Sequence, residues 1–219
     1  TELNWDGRSN QLGFAVTAIG TNDAAEVALK RLEATAFPAN EQNAMVQAIA
    51  IAGNAQQLGR VVSIILKGSI ENLTTEKLQP LLSRTSRDKT VPANINQAIQ
   101  NILKGRKTLS SDQQQVLAKI AGIWKIESAV PMLLSSLQSP TAESQEMIIA
   151  ALGSFDSETV RQQLIALTNS DQASLRIAAT RAVASRRPIA AIPALCKLLI
   201  GEETREAASQ MAIDFVGRK

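Results

Sequence analysis

Apolar residues recur at spacings of three and four along nearly the whole chain, in stretches that short polar breaks separate. This is the period of an amphipathic α-helix, and the alternation typical of strands is scarce. The pattern therefore predicts an all-α protein. It places helices over residues 9–20, 23–35, 40–53, 56–67, 74–86, 93–104, 111–124, 127–138, 141–154, 157–168, 172–185, 189–200 and 203–216.

Several predicted helix starts carry residues that can accept hydrogen bonds from free backbone amides. Asp23 with Glu26, and Ser111 with Gln114, have the three-residue spacing of a capping box. Asp171 precedes another predicted helix and can accept from the amides of its first turn. Glycines stand near four predicted helix ends, where a left-handed residue is favoured: Gly53, Gly68, Gly105 and Gly201.

An internal repeat becomes visible when the chain is aligned with itself. Three segments match at one constant 31-residue offset: 116–122, 147–153 and 178–184. Each ends on a small residue: Gly122, Gly153 and Ala184. A small residue on a buried helix face lets a neighbouring helix approach closely. Leucine at either glycine should then overpack the core, whereas alanine should be mild at both because glycine is a poor helix former.

The helices between these segments align as well. Residues 128–137 match 158–167 and 190–199 without gaps, and Pro131 and Pro193 fall at the same position. Proline is tolerated in a first helical turn, so both are predicted there. Two helices in each 31-residue repeat, arranged in tandem, indicate a helical solenoid. The alternative is an ordinary helical bundle with chance similarity.

The best-formed unit reads Asp171-x-x-x-Leu175-Arg176-x-x-Ala179, followed by Ile192-Pro193. This spacing resembles the short HEAT repeat, and the resemblance extends over about 110–216. It implies an α-solenoid of antiparallel helix pairs, HEAT/armadillo-like, forming one domain over 1–219. Residues 1–92 would then be degenerate repeats and 93–219 regular ones.

A narrower resemblance rests on short motifs. Residues 117–125 ahead of Val130-Pro131, and the closing stretch 205–219, are similar to the HEAT segment of planctomycete-type exported proteins. In that family a sugar-dehydrogenase-like propeller precedes the segment and a c-type haem domain follows it. The resemblance implies a piece of a larger, extracytoplasmic protein that links two redox domains.

Composition removes most catalytic apparatus. The chain of 219 residues has no histidine and one cysteine, so it lacks the commonest general base and the usual zinc ligands. No cofactor or metal is expected, and Cys196 is expected to be a small buried core residue. The function predicted is a non-catalytic scaffold or interdomain spacer. The alternative is a HEAT-like enzyme, resembling a DNA glycosylase or a bilin lyase, which a cleft with a carboxylate and aromatic residues would favour.

Positive charge is concentrated in one window, 84–107, where six cations and one acid give +5, while the rest of the chain carries −2. The cations are Arg84, Arg87, Lys89, Lys104, Arg106 and Lys107. They could contact an acidic partner, a phosphate-bearing ligand or nucleic acid. The favoured interpretation is solvated loop and helix-end charge, and removal of these cations should then scarcely change stability.

The expected partner is a protein or a flanking domain. The chain offers few aromatic side chains for stacking on nucleic-acid bases, and no apolar run is long enough to cross a membrane. Because second helices of HEAT units commonly form the binding face, that face would present Ser135, Ser136, Gln162, Gln163 and Lys197.

Overall fold

A computed structural model describes residues 8–34, 39–67, 69–106, 108–137, 142–186 and 188–216. These residues form thirteen α-helices and no β-strand, which confirms the all-α prediction. The helices are α1 (Ser9–Ile19), α2 (Asn22–Ala34), α3 (Ala39–Ala52), α4 (Ala55–Leu66), α5 (Thr75–Asp88), α6 (Ile95–Leu103), α7 (Ser111–Trp124), α8 (Val130–Ser136), α9 (Ala142–Leu152), α10 (Glu158–Leu167), α11 (Ala173–Arg186), α12 (Pro188–Ile200) and α13 (Arg205–Val216).

The helices pack in sequential pairs within two compact units, Thr1–Lys104 and Gly105–Lys219. In the first unit α1 packs on α3 and α3 on α5, while α2 and α4 complete their pairs. In the second unit α7 packs on α9 and α9 on α11, and α8, α10 and α12 join them in order. Each unit thus has the layered arrangement of a helical solenoid, with odd-numbered helices in one layer. The predicted change from degenerate to regular repeats at residue 92 stays a prediction.

The start of α2 differs from its prediction. The amide of Ala24 donates to Thr21 Oγ1 at 3.3 Å, so Thr21 caps this helix. Asp23 already lies inside the helix, which begins at Asn22. A capping residue must precede the first turn of its helix. The capping box predicted at Asp23 therefore lies two residues too far along the chain.

The capping box of α7 also forms earlier than predicted, here by one residue. A full capping box forms between Ser110 and Gln113, and not between Ser111 and Gln114. Ser111 instead shares a hydrogen bond of 2.8 Å with Ser144 of α9. Gln114 is buried and donates to the carbonyl of Leu109 at 3.0 Å. The residues assigned to the cap therefore tie the helix to its surroundings.

Left-handed residues at helix ends are mostly lysines. Gly105 has φ +75° as predicted, and Gly20 has φ +67°. Gly53 and Gly201 do not adopt positive φ, so that prediction was wrong for them, and Gly68 lies outside the described residues. Left-handed lysines end α4, α5 and α7: Lys67, Lys89 and Lys125.

The small residues of the repeat lie where successive odd-numbered helices approach most closely. A Cβ built on Gly122 would lie 3.3 Å from Ala151 Cα, and one on Gly153 would lie 2.8 Å from Ala182 Cβ. Each glycine faces a residue 29 positions later, so the same contact recurs from one repeat to the next. Ala184, the third member, is buried at 1% exposure.

Burial in the even-numbered helices corrects the predicted alignment of α10. The buried residues Ala129, Val160 and Ala191 are 31 apart, and so are Leu133, Leu164 and Leu195. Residue 128 is therefore equivalent to 159, not to 158 as predicted. The 31-residue period holds in both layers without slippage.

The two equivalent prolines meet different backbones. Pro131 lies in the first turn of α8, after a 3₁₀ turn over Glu127–Ala129. Pro193 lies inside α12, because that helix begins already at Pro188. The prediction for Pro193 was therefore wrong. Its ring removes the hydrogen bond that the carbonyl of Ile189 would otherwise accept.

The turn before α11 is held by Arg176. Its Nη1 donates to the carbonyls of Ser170 at 2.8 Å and Asp171 at 2.9 Å. The Ser170 hydroxyl accepts from the amide of Gln172 at 3.2 Å. Asp171 thus contributes its backbone carbonyl here, and the Ser170 hydroxyl stabilises the turn ahead of the first helical residue, Ala173.

The geometry revises the expectation that alanine is mild at both repeat glycines. We expect Gly153→Ala to lower the free energy of unfolding by about 1–3 kcal/mol, because its methyl would press on Ala182. Gly122→Ala should be close to neutral. Gly59→Ala should cost at least as much as Gly153→Ala, since a Cβ there would overlap the carbonyl oxygen of Ala93.

Urea midpoints of the three variants provide the measurement. Ala150→Gly, at an exposed position of α9, is the control for helix propensity and should cost about 0.5–1 kcal/mol. A Gly153→Ala variant as stable as the wild type would show that the α9–α11 contact is not close-packed.

Candidate interaction surfaces

The predicted basic window is divided by the fold. Arg84 and Arg87 lie on α5, and Lys89 is the left-handed residue that ends it. Lys104 and Arg106 follow α6 and are exposed, and Lys107 lies outside the described residues. The structure therefore brings Arg84, Arg87 and Lys89 together on one helix end.

Arg84 makes structural contacts within α5 and with the end of α3. Its side chain is only 15% exposed, and Nε lies 2.5 Å from Asp88 Oδ2. Nη1 donates to the carbonyl of Ala50 at 3.0 Å and also to that of Ile51. A cation beside the last carbonyls of a helix is favourable. Arg84 is therefore a helix-end charge, as one part of the prediction has it, but it is not a solvated one, because its side chain closes the end of α3.

Asp88 completes this helix-end cluster. Its Oδ1 accepts from the Thr90 amide at 3.1 Å. Hydrogen bonding to Thr90 first, and the neighbouring Arg84 guanidinium second, hold the pKa of Asp88 below its usual value. The carboxylate therefore stays charged and keeps Arg84 in place.

A groove of about 560 Å³ runs between α3 and α5. Its lining includes Asn43, Gln47 and Ile51 from α3, and Glu76, Gln79 and Arg87 from α5. The two helices run in the same direction, because Arg84 near the end of α5 reaches the end of α3. Glu76 therefore lies at one end of the groove and Arg87 at the other. A smaller groove of about 230 Å³ shares Asn43 and Glu76 with it.

A charged network joins α2 to α4. Arg60 Nη1 lies 2.8 Å from Glu26 Oε1, and Arg60 Nη2 lies 2.6 Å from Glu33 Oε2. The buried Gln57 donates to Glu26 Oε2 at 3.0 Å. Hydrogen bonds from Gln57 and then Arg60 lower the pKa of Glu26. Hydrogen bonds to Glu33 and Glu26 raise the pKa of Arg60. These charges hold two neighbouring repeats together.

The helix α12 exposes an apolar face. Ile189 is 82% exposed, Ile192 51% and Ile200 80%. Cys196 lies between them and is also exposed, so the expectation of a buried cysteine was wrong. The buried face of α12 is occupied by Leu195 and its neighbours, which leaves the cysteine on the opposite side. We call Ile189, Ile192, Pro193, Cys196, Leu199 and Ile200 the α12 face.

The polar residues predicted to form the binding face of the second helices are mostly exposed. Gln162 donates to Glu158 at 3.1 Å, and Lys197 donates to Asn169 at 2.8 Å. Ser135 is exposed, but Ser136 is only 7% exposed. The prediction was wrong for Ser136, which lies on the core side of α8.

The described part of the chain contains neither a cluster of metal-ligating side chains nor a helix that could span a membrane. Within it, no group of three or more histidine, cysteine, aspartate or glutamate side chains is arranged to hold a metal ion. Nor does any helix there combine the length and apolar character that crossing a membrane requires.

Sequence reasoning missed both the α3–α5 groove and the α12 face. Nothing in the local pattern distinguishes Asn43, Gln47 or Gln79 from other exposed polar residues. For α12 a signal existed, since apolar residues surround the whole helix and not one stripe. The same pattern is typical of a buried helix, and it therefore does not by itself indicate an exposed face.

The family model described as HEAT repeats matches residues 130–214. This region runs from α8 to α13 and contains the repeat register seen in the second unit. It confirms the HEAT resemblance there. No curated protein and no solved structure matches the chain significantly.

The contacts of α5 lead to a prediction about two arginines three residues apart. Arg84→Gln should lower the free energy of unfolding by about 1.5–3 kcal/mol, because it removes charged hydrogen bonds to the end of α3. Arg87→Gln should stay within about 0.5 kcal/mol, as is usual at exposed positions. Thermal and urea unfolding measure both. Equal effects would contradict the structural role given to Arg84.

The network of α2 and α4 predicts a pH dependence. Glu26 has a lowered pKa when folded, so the unfolded chain binds more protons and stability rises with pH. The contribution is present above the usual glutamate pKa of 4.5 and is lost as the pH falls through the folded value. Glu26→Gln should therefore flatten the stability curve between about pH 6 and pH 3.

Urea midpoints across that range are the measurement. Glu203→Gln, which removes an exposed carboxylate before α13, is the matched control and should leave the slope near that of the wild type. A Glu26→Gln curve with the wild-type slope would contradict the assignment.

Proposed function

We propose that the chain is a non-catalytic protein-interaction scaffold, and that the α12 face receives a protein partner. The match to HEAT repeats over 130–214 supports a scaffold in general terms, because solenoids bind through extended surfaces. The exposed α12 face is the observation that carries the finer proposal.

The six residues of the α12 face form one contiguous surface. They recur at intervals of three and four residues, which places them on the same side of the helix. Contiguous exposed apolar surface on a protein commonly marks an interaction site. Isolated exposed apolar residues would not have this meaning.

The repeat itself does not require this apolar surface. The 31-residue register places Glu158, Arg161 and Asn169 at the positions of Ile189, Ile192 and Ile200. α10 and the turn after it therefore carry polar residues where α12 carries isoleucines, in the same architecture. The apolar character of α12 is a property added to the fold, and a partner is the physical reason we assign to it.

A non-catalytic role agrees with the composition, which offers no histidine. The enzyme alternative was expected to show a cleft with a carboxylate and aromatic side chains. The α3–α5 groove contains Glu76, but no aromatic side chain lines it among the residues that the structure describes. The link to planctomycete-type dehydrogenase and haem-domain proteins stays a prediction; in that case the partner would be a flanking domain of the same chain.

The single cysteine provides a direct test. A photo-activated cross-linker attached to Cys196 should form a specific adduct with a protein from an extract of the cells that make this chain. Ile192→Lys together with Ile200→Lys should abolish the adduct, because two buried charges in an apolar interface are costly. Mass spectrometry of the adduct identifies the partner and the contact residues.

The control moves the cross-linker to an exposed polar site by combining Cys196→Ser with Gln97→Cys on α6. The same adduct from this position, or an adduct that survives the lysine substitutions, would contradict the proposal. A cross-linked dimer of the chain would identify a second copy as the partner.

A further inference from the structure

The groove between α3 and α5 is a second surface, independent of the α12 face. We propose that it binds an extended acidic segment of a partner protein, with a carboxylate of that segment beside Arg87. Three features of the groove support this assignment: its length, the hydrogen-bonding groups on its walls and the charges at its ends.

The dimensions fit a short stretch of extended chain. Glu76 and Arg87 are eleven residues apart along α5, and a rise of 1.5 Å per residue gives a groove of about 16 Å. An extended chain advances about 3.3 Å per residue, so about five residues span it. The volume of about 560 Å³ lies in the range of sites that bind small ligands.

The walls of the α3–α5 groove carry side-chain amide groups. Asn43, Gln47 and Gln79 are exposed side chains that line the groove, and each amide carries both donors and an acceptor. The Gln79 amide already donates to Ser83 Oγ at 3.2 Å. An extended segment has free backbone amide and carbonyl groups that such side chains can pair. A helical partner has already used its own backbone groups. The lining therefore favours an extended segment over a helix.

Pro80 interrupts the backbone hydrogen bonding of the helix that forms this wall. It lies inside α5 and lines the groove. Because proline has no amide hydrogen, the carbonyl of Glu76 loses its usual helical donor. An amide of a bound segment can supply the missing hydrogen bond.

The charges favour a segment whose carboxylate lies at the Arg87 end, away from Glu76, and they oppose nucleic acid. Arg84 is engaged with Asp88 and the end of α3, whereas Arg87 is exposed and lines the groove. A guanidinium pairs well with a single carboxylate. A nucleic acid would carry phosphates along the whole groove and meet Glu76 at the other end, where like charges repel.

The test titrates the ¹⁵N-labelled whole chain with a pentapeptide, Gly-Ser-Gly-Ser-Asp, blocked at both termini. We expect saturable shifts in the side-chain amide signals of Gln47 and Gln79 and in the Nε–H signal of Arg87. Arg87→Gln should weaken binding about threefold to fivefold. A peptide with Asn in place of Asp should bind the wild-type chain as weakly as the Asp peptide binds the Arg87→Gln variant. Arg87→Gln should not weaken the binding of the Asn peptide any further, as a double-mutant cycle requires.

The controls separate the proposal from its rivals. Lys104→Gln removes an exposed cation of the same window outside the groove, and it should leave the affinity unchanged. The proposal is overturned if the peptide leaves the Gln47 and Gln79 signals unmoved, or if sodium acetate reproduces all the shifts. It is also overturned if oligo-dT binds more tightly than the peptide and loses that binding on Arg87→Gln.

Discussion

The close approach of successive odd-numbered helices is the constraint on which the second unit depends. Gly122 faces Ala151 at a separation that a methyl group would just fit, and Gly153 faces Ala182 at a separation that leaves no room for one. Since protein interiors are close-packed, such a contact fixes the spacing of neighbouring helices. Its recurrence with the 31-residue period makes each repeat resemble the one before it. The even-numbered helices follow with the same period, as the buried residues 133, 164 and 195 show.

Charged side chains at helix ends link neighbouring repeats. Cations that make these contacts are engaged within the fold, and only the others can bind a partner. Arg84 closes α3, Arg176 closes the turn before α11, and Lys125 donates to the carbonyl of Ser154 at 3.1 Å. A helix leaves its last carbonyls without partners, and a solenoid has many such ends close together. Arg84 and Arg87 look alike in the sequence, yet the first is used by the fold and the second faces a groove.

The two proposed surfaces have different physical origins. The α12 face arises because isoleucines occupy positions where α10 carries polar residues, so an apolar partner surface can dock on a rigid helix. The α3–α5 groove arises because two parallel helices leave space between them, lined by amides and bounded by Glu76 and Arg87. One surface would bind through burial of apolar area. The other would bind through hydrogen bonds and one ion pair, and would therefore weaken with salt.

The sequence by itself determined the helices, their order and the 31-residue period, because these depend on local hydrophobic patterning that repeats along the chain. It also marked Gly122 and Gly153, since a small residue stands out in an aligned helix. It failed for Cys196, whose apolar neighbours suggested burial, and for Arg84, whose partners Ala50 and Ile51 lie more than thirty residues away. Which side of α12 faces the core, and which residues of α3 meet α5, are decided by packing between helices. Exposure and long-range contacts are therefore properties of the tertiary structure. A helix with apolar residues on several sides buries the side that its neighbouring helices cover, and the sequence of that helix does not determine which side this is.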